Sequence, residues 1–490
     1  MTGKNDLFTL VHSLDKNEKR HFRLSATFQK GSKNYTELFD ALLSERSYDE
    51  KKFRLKHKDK NFIKNFAFNK IHLYNRLISS LADYGFERTV DGKMQAMIAE
   101  CRILFRKEMF RRYFKAIARA KEYAYKHERF GYLLQIIDIE KLIIPKELIY
   151  SDKSEELRKE AKLVTAKINN IMEYSAMAGK LLKDFRYFGM TRNIEREALL
   201  KKLSNTGIMS SVNNCISSRA AEAYWRVKEI AGNITGRNNE MYEALKQRLR
   251  TVSENPYPFT GYIMDYHNDI LVSLAECSIK MDVYDDAMNY VNQLNEYNNT
   301  RSDKDQTVLA AFLEFKLNLK CGRIKKAVSF IPRLEKMLDI YKGKLQIDTE
   351  FAIMFYIAAA RIEEKKFHKA LDAVNRLLVH PLLNKKSDYE CYIRILNLIV
   401  HFELKNYDLL RHLVLSTYRY LSRHEKLFKT ELVILDFLRK MPEVKNDDDL
   451  KYYFKMFSGR LQKLKNDKYE RNAFEYFDLL KWVSSKINKQ

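Results

Sequence analysis

The sequence has 490 residues, 46% of them hydrophobic, so the chain can bury a substantial core and is too long for one compact domain. It contains only 14 glycines and 6 prolines, and because both residues end helices and build turns, their scarcity favours long helices over a hairpin-rich sheet. The formal net charge is +25, and residues 1–150 contribute +12 of it, from 31 Lys and Arg against 19 Asp and Glu. The N-terminal third is therefore the first place to look for an anionic partner.

Two helix starts are predicted close to the N-terminus. Asp15 with Glu18, and again Ser47 with Glu50, have the spacing of a capping box, in which two side chains satisfy the first free amide groups of a helix. We therefore expect one helix to begin near residue 16 and another near residue 49.

Two basic segments follow, at residues 51–64 and 105–121. The first holds seven Lys and Arg against one Asp, and aromatic residues lie among the basic ones in both segments. A run of charge is usually the solvated face of a helix, which is the simpler interpretation. The alternative is a surface that contacts nucleic-acid phosphates or an acidic protein. The candidate contact residues are Lys51, Lys52, Arg54, Lys56, Lys58, Arg111 and Arg112.

One long amphipathic helix is expected over Ser151–Phe185, after Pro145 and a charged cluster, and we place a subdomain boundary at this point. Weaker helical pairs are expected at Phe110–Ile144 and Ala221–Pro258. The predicted organisation has four parts: a basic N-terminal helical region (1–148), the long helix with degenerate helical pairs (149–258), a repeat region (259–425) and C-terminal capping helices (426–490).

A repeated helical pair is the clearest pattern in the chain. In EEKKFHKALDAVNRLLVHP, the apolar residues after the polar turn EEKK lie on one side of a helix, and a second apolar helix precedes the turn. The second helices of four such pairs begin at positions spaced 40, 43 and 40 residues apart, and we call these first residues the markers: Tyr284, Ile324, Phe367 and Tyr407. Three residues after the markers lie Ala287, Ala327, Ala370 and Leu410, where a small side chain lets two helices approach closely.

This arrangement resembles the tetratricopeptide repeat superfamily over about residues 261–421, including a closing proline, Pro381, in its best unit. The resemblance implies an all-α fold, in which antiparallel helical hairpins stack into an α-α superhelix with non-repeat helices at both ends. The spacing exceeds the family's period of about 34 residues, so a repeat with longer helices, of the HEAT or armadillo kind, is the alternative. At the N-terminus, SLDKNEKRHF, ELFDAL and HLYNRLISSL also resemble uncharacterised helical-repeat proteins of Bacteroidota, which implies no activity.

Two further helices are predicted at the C-terminal end. One begins at Asp447–Asp449, because acidic side chains interact favourably with the dipole at a helix start, and the other covers Tyr469–Ile487. End helices with a polar outer face allow an array to terminate without exposing apolar surface, so we expect these two to cap the repeats.

Motifs of catalysis and cofactor binding are not found. The chain has no GxGxxG after a strand, no GxxxxGK[ST], no HExxH and no GxSxG, so we expect a non-enzymatic protein with no cofactor or metal. The five cysteines form no CxxC pair and, together with the lack of a long apolar run, predict a cytoplasmic protein without a membrane span. The expected function is binding of a protein or peptide on the concave face of the array. Binding of RNA or single strands through the basic N-terminal third is the alternative.

Overall fold

The computed structural model describes residues 6–27, 34–86, 88–143, 151–205, 207–261, 265–300, 304–341, 343, 345, 347–380, 388–444 and 446–487. Within these residues all regular structure is helical, with 24 α-helices, several short 3-10 helices and no strand. Helices that are adjacent in sequence pack against each other, which confirms the predicted all-α fold class.

The chain forms two compact units, Met1–Val164 and Thr165–Gln490, and they are called unit 1 and unit 2 below. The division falls inside one long helix, Ser151–Phe188, close to the single helix predicted there. The predicted boundary between residues 148 and 149 lies outside the described residues. It stays a prediction, as do the boundaries after residues 258 and 425.

Unit 1 consists of nine helices and the start of a tenth in the described part of the chain. The bounds are α1 Asp6–Ser13, α2 Lys16–Thr27, α3 Asn34–Ser44, α4 Glu50–Lys56, α5 Asn61–Lys64, α6 Phe66–Phe86, α7 Val90–Arg106, α8 Phe110–Lys126, α9 Phe130–Lys141 and α10 Ser151–Phe188. Helices α1 to α6 share one apolar core, in which Phe22, Phe39 and Leu73 are buried. The α7 to α9 helices pack side by side in chain order.

The two predicted helix starts have different outcomes. The capping box of α2 is confirmed, because the Asp15 amide donates to Glu18 Oε2 at 2.8 Å and the Glu18 amide donates to Asp15 Oδ1 at 2.8 Å. For α4 the predicted box was wrong. The capping side chain belongs to Asp49, two residues after Ser47, which accepts from the amides of Lys51 and Lys52, so the helix begins at Glu50.

Unit 2 continues with helical hairpins. The bounds are α11 Ile194–Asn205, α12 Ser218–Thr235, α13 Asn238–Glu254, α14 Tyr266–Lys280, α15 Tyr284–Thr300, α16 Lys304–Lys320, α17 Ile324–Ile340, α18 Ile347–Glu363, α19 Phe367–Leu378, α20 Asp388–Glu403, α21 Tyr407–Arg423, α22 Lys429–Lys440, α23 Asp447–Lys465 and α24 Leu479–Ile487. Five consecutive hairpins, α12/α13 to α20/α21, pack in order. The closing Pro381 of the sequence pattern lies outside the described residues.

One turn geometry recurs between helices of both units. A residue with positive φ ends the first helix, and the amide of the next residue donates to the carbonyl five positions earlier at 2.9–3.0 Å. The next helix begins two residues after the positive-φ position in seven of the turns in the described parts of the chain. Those positions are Glu108, Glu128, Gly236, Asp282, Gly322, Lys365 and Lys405.

The markers and the residues three positions later occupy different depths in unit 2. Ala287, Ala327, Ala370 and Leu410 are completely buried. The markers Tyr284, Ile324, Phe367 and Tyr407 are half-buried at the edges of the apolar clusters. Each second helix therefore begins with a side chain that covers the edge of its hairpin and buries the residue three positions later, which is alanine in three of the four.

Ion pairs connect residues at the end of unit 2 with residues near its beginning. Arg192, which follows α10, donates to Glu431 Oε1 at 2.6 Å and also pairs with Glu470, and all three side chains are buried. Lys468 donates to Glu197 Oε2 at 2.6 Å. Burial opposes the charge of Glu197, but hydrogen bonds from Lys468, Arg237 and Tyr469 outweigh it and lower the pKa of this carboxyl.

Candidate functional site

The first helices of the hairpins form a continuous layer in unit 2. Helix α14 packs against α16, α16 against α18, and α18 against α20, in addition to the contacts that each makes with its own second helix. Such a layer presents one surface to which every hairpin contributes, and this is the surface on which stacked hairpins usually bind other molecules.

Residues 466–487, which we call the C-terminal segment, lie along the C-terminal ends of these first helices. Five successive helix ends each contact it through a polar group. The contacts are Arg471 Nη2 donating to the Gly236 carbonyl (2.9 Å), Lys280 with Glu475 (3.2 Å), Lys320 Nζ donating to the Glu475 carbonyl (3.2 Å), Lys481 with Glu363, and Lys486 with Glu403 (2.5 Å).

The charges at these helix ends follow the repeat. The residue four positions before each marker is charged, in the order Lys280, Lys320, Glu363 and Glu403. In the C-terminal segment, the groups of opposite charge are the carboxylate of Glu475 and the ammonium groups of Lys481 and Lys486. The order of charges along the helix ends therefore aligns the segment with the array.

Apolar contacts anchor the same segment. Phe477, Leu479, Trp482 and Val483 are buried in the large cluster formed by the later hairpins. The indole nitrogen of Trp482 donates to Glu403 Oε1 at 2.7 Å. The segment is thus an integral part of the fold of unit 2. The single helix predicted over Tyr469–Ile487 was wrong, because this stretch forms a short 3-10 helix, Arg471–Glu475, and then α24. The capping role stays a prediction.

A groove remains between the first helices and the C-terminal segment, and we take it as the candidate site. Its volume is about 910 Å³, within the range of ligand-binding clefts. Helices α12, α14, α16 and α18 and the first turn of α13 line one side, and the C-terminal segment lines the other. The first-helix residues that line it include Glu229, Asn233, Ser273, Glu276, Lys280, Lys316, Lys320 and Tyr356.

Three lysines of this groove have different surroundings. Lys280 pairs with Glu475, while Lys316 Nζ lies 3.5 Å from Glu276 Oε1 and 4.9 Å from the centre of the Tyr356 ring. Burial lowers the pKa of Lys320, and the positive charge of Lys316 lowers it further. The groove therefore offers ammonium, carboxylate and aromatic groups together, which suits a polar peptide better than an apolar ligand.

The repeat pattern did not identify the groove, because the pattern rests on apolar positions and most first-helix residues that line the groove are polar or charged. One signal was present. A charged residue four positions before every marker is unexpected on a buried helix, and it identifies the edge that contacts the C-terminal segment.

The seven basic residues predicted as anion contacts are all exposed in unit 1. The first four lie on α4, Lys58 follows that helix, and Arg111 and Arg112 lie in the first turn of α8. Lys56 pairs with Glu45 at 2.5 Å, and Arg54 lies over the Phe66 ring. The two groups are on separate packing layers, since Phe53 of α4 belongs to the core of α1 to α6 whereas α8 packs on α7 and α9.

Metal and membrane sites were also sought in the described part of the chain. There, no group of three or more His, Cys, Asp or Glu side chains is placed to hold a metal ion. Likewise, none of the described helices combines the length and apolar composition needed to cross a membrane. No protein-family model matches the sequence, and neither does any curated protein.

Proposed function

We propose that this protein is a non-enzymatic interaction or scaffold protein that binds a peptide segment of a partner in the groove of unit 2. The observation that supports this is the set of contacts between five first-helix ends and the C-terminal segment, three of which are ion pairs. A surface that already holds one stretch of polypeptide in this way has the chemistry to hold another beside it.

We also infer that the array is a degenerate tetratricopeptide-like repeat of a cytoplasmic protein. The marker spacing of 40 to 43 residues, the small residue three positions on and the hairpin packing support this. The similarity to helical-repeat proteins of Bacteroidota stays a prediction.

A peptide-display library panned on the immobilised protein tests the groove. We expect selected peptides to bind the unsubstituted protein and to lose at least about tenfold in affinity to Ser273→Trp, because the indole would fill the groove between α14 and the C-terminal segment. Ser329→Trp is the matched control, since Ser329 is exposed on the second helix α17 and should leave binding unchanged. Peptides that bind both variants equally would contradict the proposal.

The alternative function, binding of RNA or single strands, has one observation in its favour. Lys51, Lys52, Lys58, Arg111 and Arg112 are exposed and make no ion pair with the described residues, so their charges are available to phosphates. A fluorescent single-stranded RNA added to the same immobilised protein distinguishes the two functions. RNA binding that falls steeply between about 50 and about 200 mM salt, and is lost on charge reversal of these residues, would favour the alternative.

A further inference from the structure

The turn between α7 and α8 in unit 1 lies within a dense group of basic side chains. Among residues 102–115, six are Lys or Arg and one, Glu108, is acidic. All six basic side chains are exposed, and none forms an ion pair with a residue that the structure describes. They are Arg102, Arg106, Lys107, Arg111, Arg112 and Lys115. Their charges are therefore available to an anionic partner.

The hairpin of α7 and α8 brings these charges to one surface. The two helices pack against each other, and an ion pair of Arg119 with Glu100 at 2.5 Å shows which exposed residues face each other across the hairpin. One helical turn closer to the connection, Ile103 lies across from Lys115. The other basic residues follow over the last turn of α7 and the first turn of α8, so the surface continues from one helix onto the other.

Two aliphatic side chains are exposed among these charges. Ile103 is 50% exposed and Met109 is 40% exposed. The aromatic residues of the same stretch lie deeper, since Tyr113 is buried and Phe105 and Phe110 are half-buried in edge contact with each other. We call the six basic residues together with Ile103 and Met109 the α7/α8 surface. It combines cations with exposed aliphatic groups and has no exposed aromatic ring.

We propose that the α7/α8 surface docks on a membrane that contains anionic lipids. Clusters of about four to eight Lys and Arg bind anionic headgroups through their charge. Aliphatic side chains beside such a cluster enter the boundary between the headgroups and the acyl chains, where they are removed from water. An anionic bilayer is therefore complementary to both the charged and the aliphatic groups of this surface.

A nucleic acid fits the α7/α8 surface less well, because it would use only the charges. Proteins that bind single strands stack the bases on exposed aromatic rings, and the rings of this stretch are buried or half-buried. Ile103 and Met109 would gain nothing from contact with phosphate groups. The proposal concerns unit 1 and does not depend on the groove of unit 2.

Cosedimentation of the full chain with lipid vesicles at low salt tests the charges. We expect binding to vesicles of phosphatidylserine and phosphatidylcholine, and none to vesicles of phosphatidylcholine alone. Arg111→Glu/Arg112→Glu should weaken binding at least about tenfold, because each basic residue near the bilayer contributes about fivefold. The matched control is Lys325→Glu/Lys326→Glu, which changes the net charge equally at the same two positions of α17 and should bind nearly as tightly as the unsubstituted protein.

A second pair of variants tests the aliphatic side chains. Ile103→Gln/Met109→Gln keeps every charge and should still weaken vesicle binding at least about tenfold, because two side chains no longer leave water on docking. Leu409→Gln is the control, since Leu409 is 47% exposed on α21 and lies outside the α7/α8 surface. The substituted side chains are all exposed, so each variant should keep the melting temperature of the unsubstituted protein.

Three results would overturn the proposal. One is a chain that does not bind the vesicles that contain phosphatidylserine, or that binds both kinds of vesicle equally. Another is an equal loss in Arg111→Glu/Arg112→Glu and in the α17 control, since binding would then follow net charge alone. A third is full vesicle binding by Ile103→Gln/Met109→Gln. If the chain binds no vesicles but binds a single-stranded RNA, and loses it only when the arginines are reversed, the surface is assigned to nucleic acid instead.

Discussion

Ala370 lies at a point of close packing in the array. It is completely buried in the large cluster of unit 2, on the helix that begins at the marker Phe367. Its burial follows from the sequence, because the apolar period of 3.6 residues identifies the inner face of a helix. That Ala370 marks the closest approach of two helices stays a prediction.

We expect Ala370→Leu to destabilise unit 2 by about 1–3 kcal/mol, because three additional carbon atoms must be placed where neighbouring side chains already fill the space. Thermal melting measures this. The control is Lys369→Leu, one residue earlier on the exposed side of α19, which should leave the melting temperature nearly unchanged. Equal melting temperatures for the two variants would show that Ala370 is not at a tight contact.

The charged residues of the groove show why the site was harder to predict than the core. Lys280 and Lys320 follow the local preference for basic residues in the last turn of a helix, but their partner Glu475 is at least 155 residues away in the chain. Hydrophobic periodicity concerns neighbours within one helix. It carries no information about which distant segment covers a helix end, so the core was predictable and the groove was not.

At the scale of elements, the recurring turn explains how hairpins in both units share a geometry without sharing side chains. Five of the seven positive-φ positions are Glu, Asp or Lys, and two are Gly. An L-residue costs about 1–2 kcal/mol in this left-handed conformation, and glycine does not. The turn is a backbone feature, which is why no shared side chain marks it in the sequence.

Lys365→Gly should therefore stabilise unit 2 by about 0.5–1 kcal/mol, since Lys365 has a φ of 62° in the turn before Phe367. The expected change is a rise of about 1–2 °C in melting temperature. Gly322→Ala is the reciprocal test. Gly322 has a φ of 74°, and an added Cβ would meet no atom within 4 Å, so only backbone strain changes and the melting temperature should fall. A fall in both variants would refute this explanation of the turn.

At the scale of the whole molecule, Arg192 holds the two ends of unit 2 together. Its guanidinium pairs with Glu431 and Glu470, whose carboxylates are almost completely shielded from water. Arg192→Leu leaves both carboxylates buried without a cation, and we expect a loss of about 3–5 kcal/mol. Limited proteolysis should then cut within the C-terminal segment, residues 466–487, faster than in the unsubstituted protein.

The matched control is Arg186→Leu. Arg186 pairs with Asp348 at 4.0 Å, and both side chains are mostly exposed, so this change should cost less than about 1 kcal/mol and leave proteolysis as it was. Identical cleavage of the two variants would mean that the buried ion pairs do not hold the C-terminal segment in place.

The position of the C-terminal segment in the chain has a consequence for how unit 2 folds. Every hairpin that it contacts is synthesised before it, and the hairpins form from residues close together in sequence, which favours rapid folding. The closing contacts join residues as far apart as Thr191 and Asn472. During synthesis the hairpins therefore emerge with their helix ends bare, and these ends stay exposed to solvent until residues 466–487 have been made.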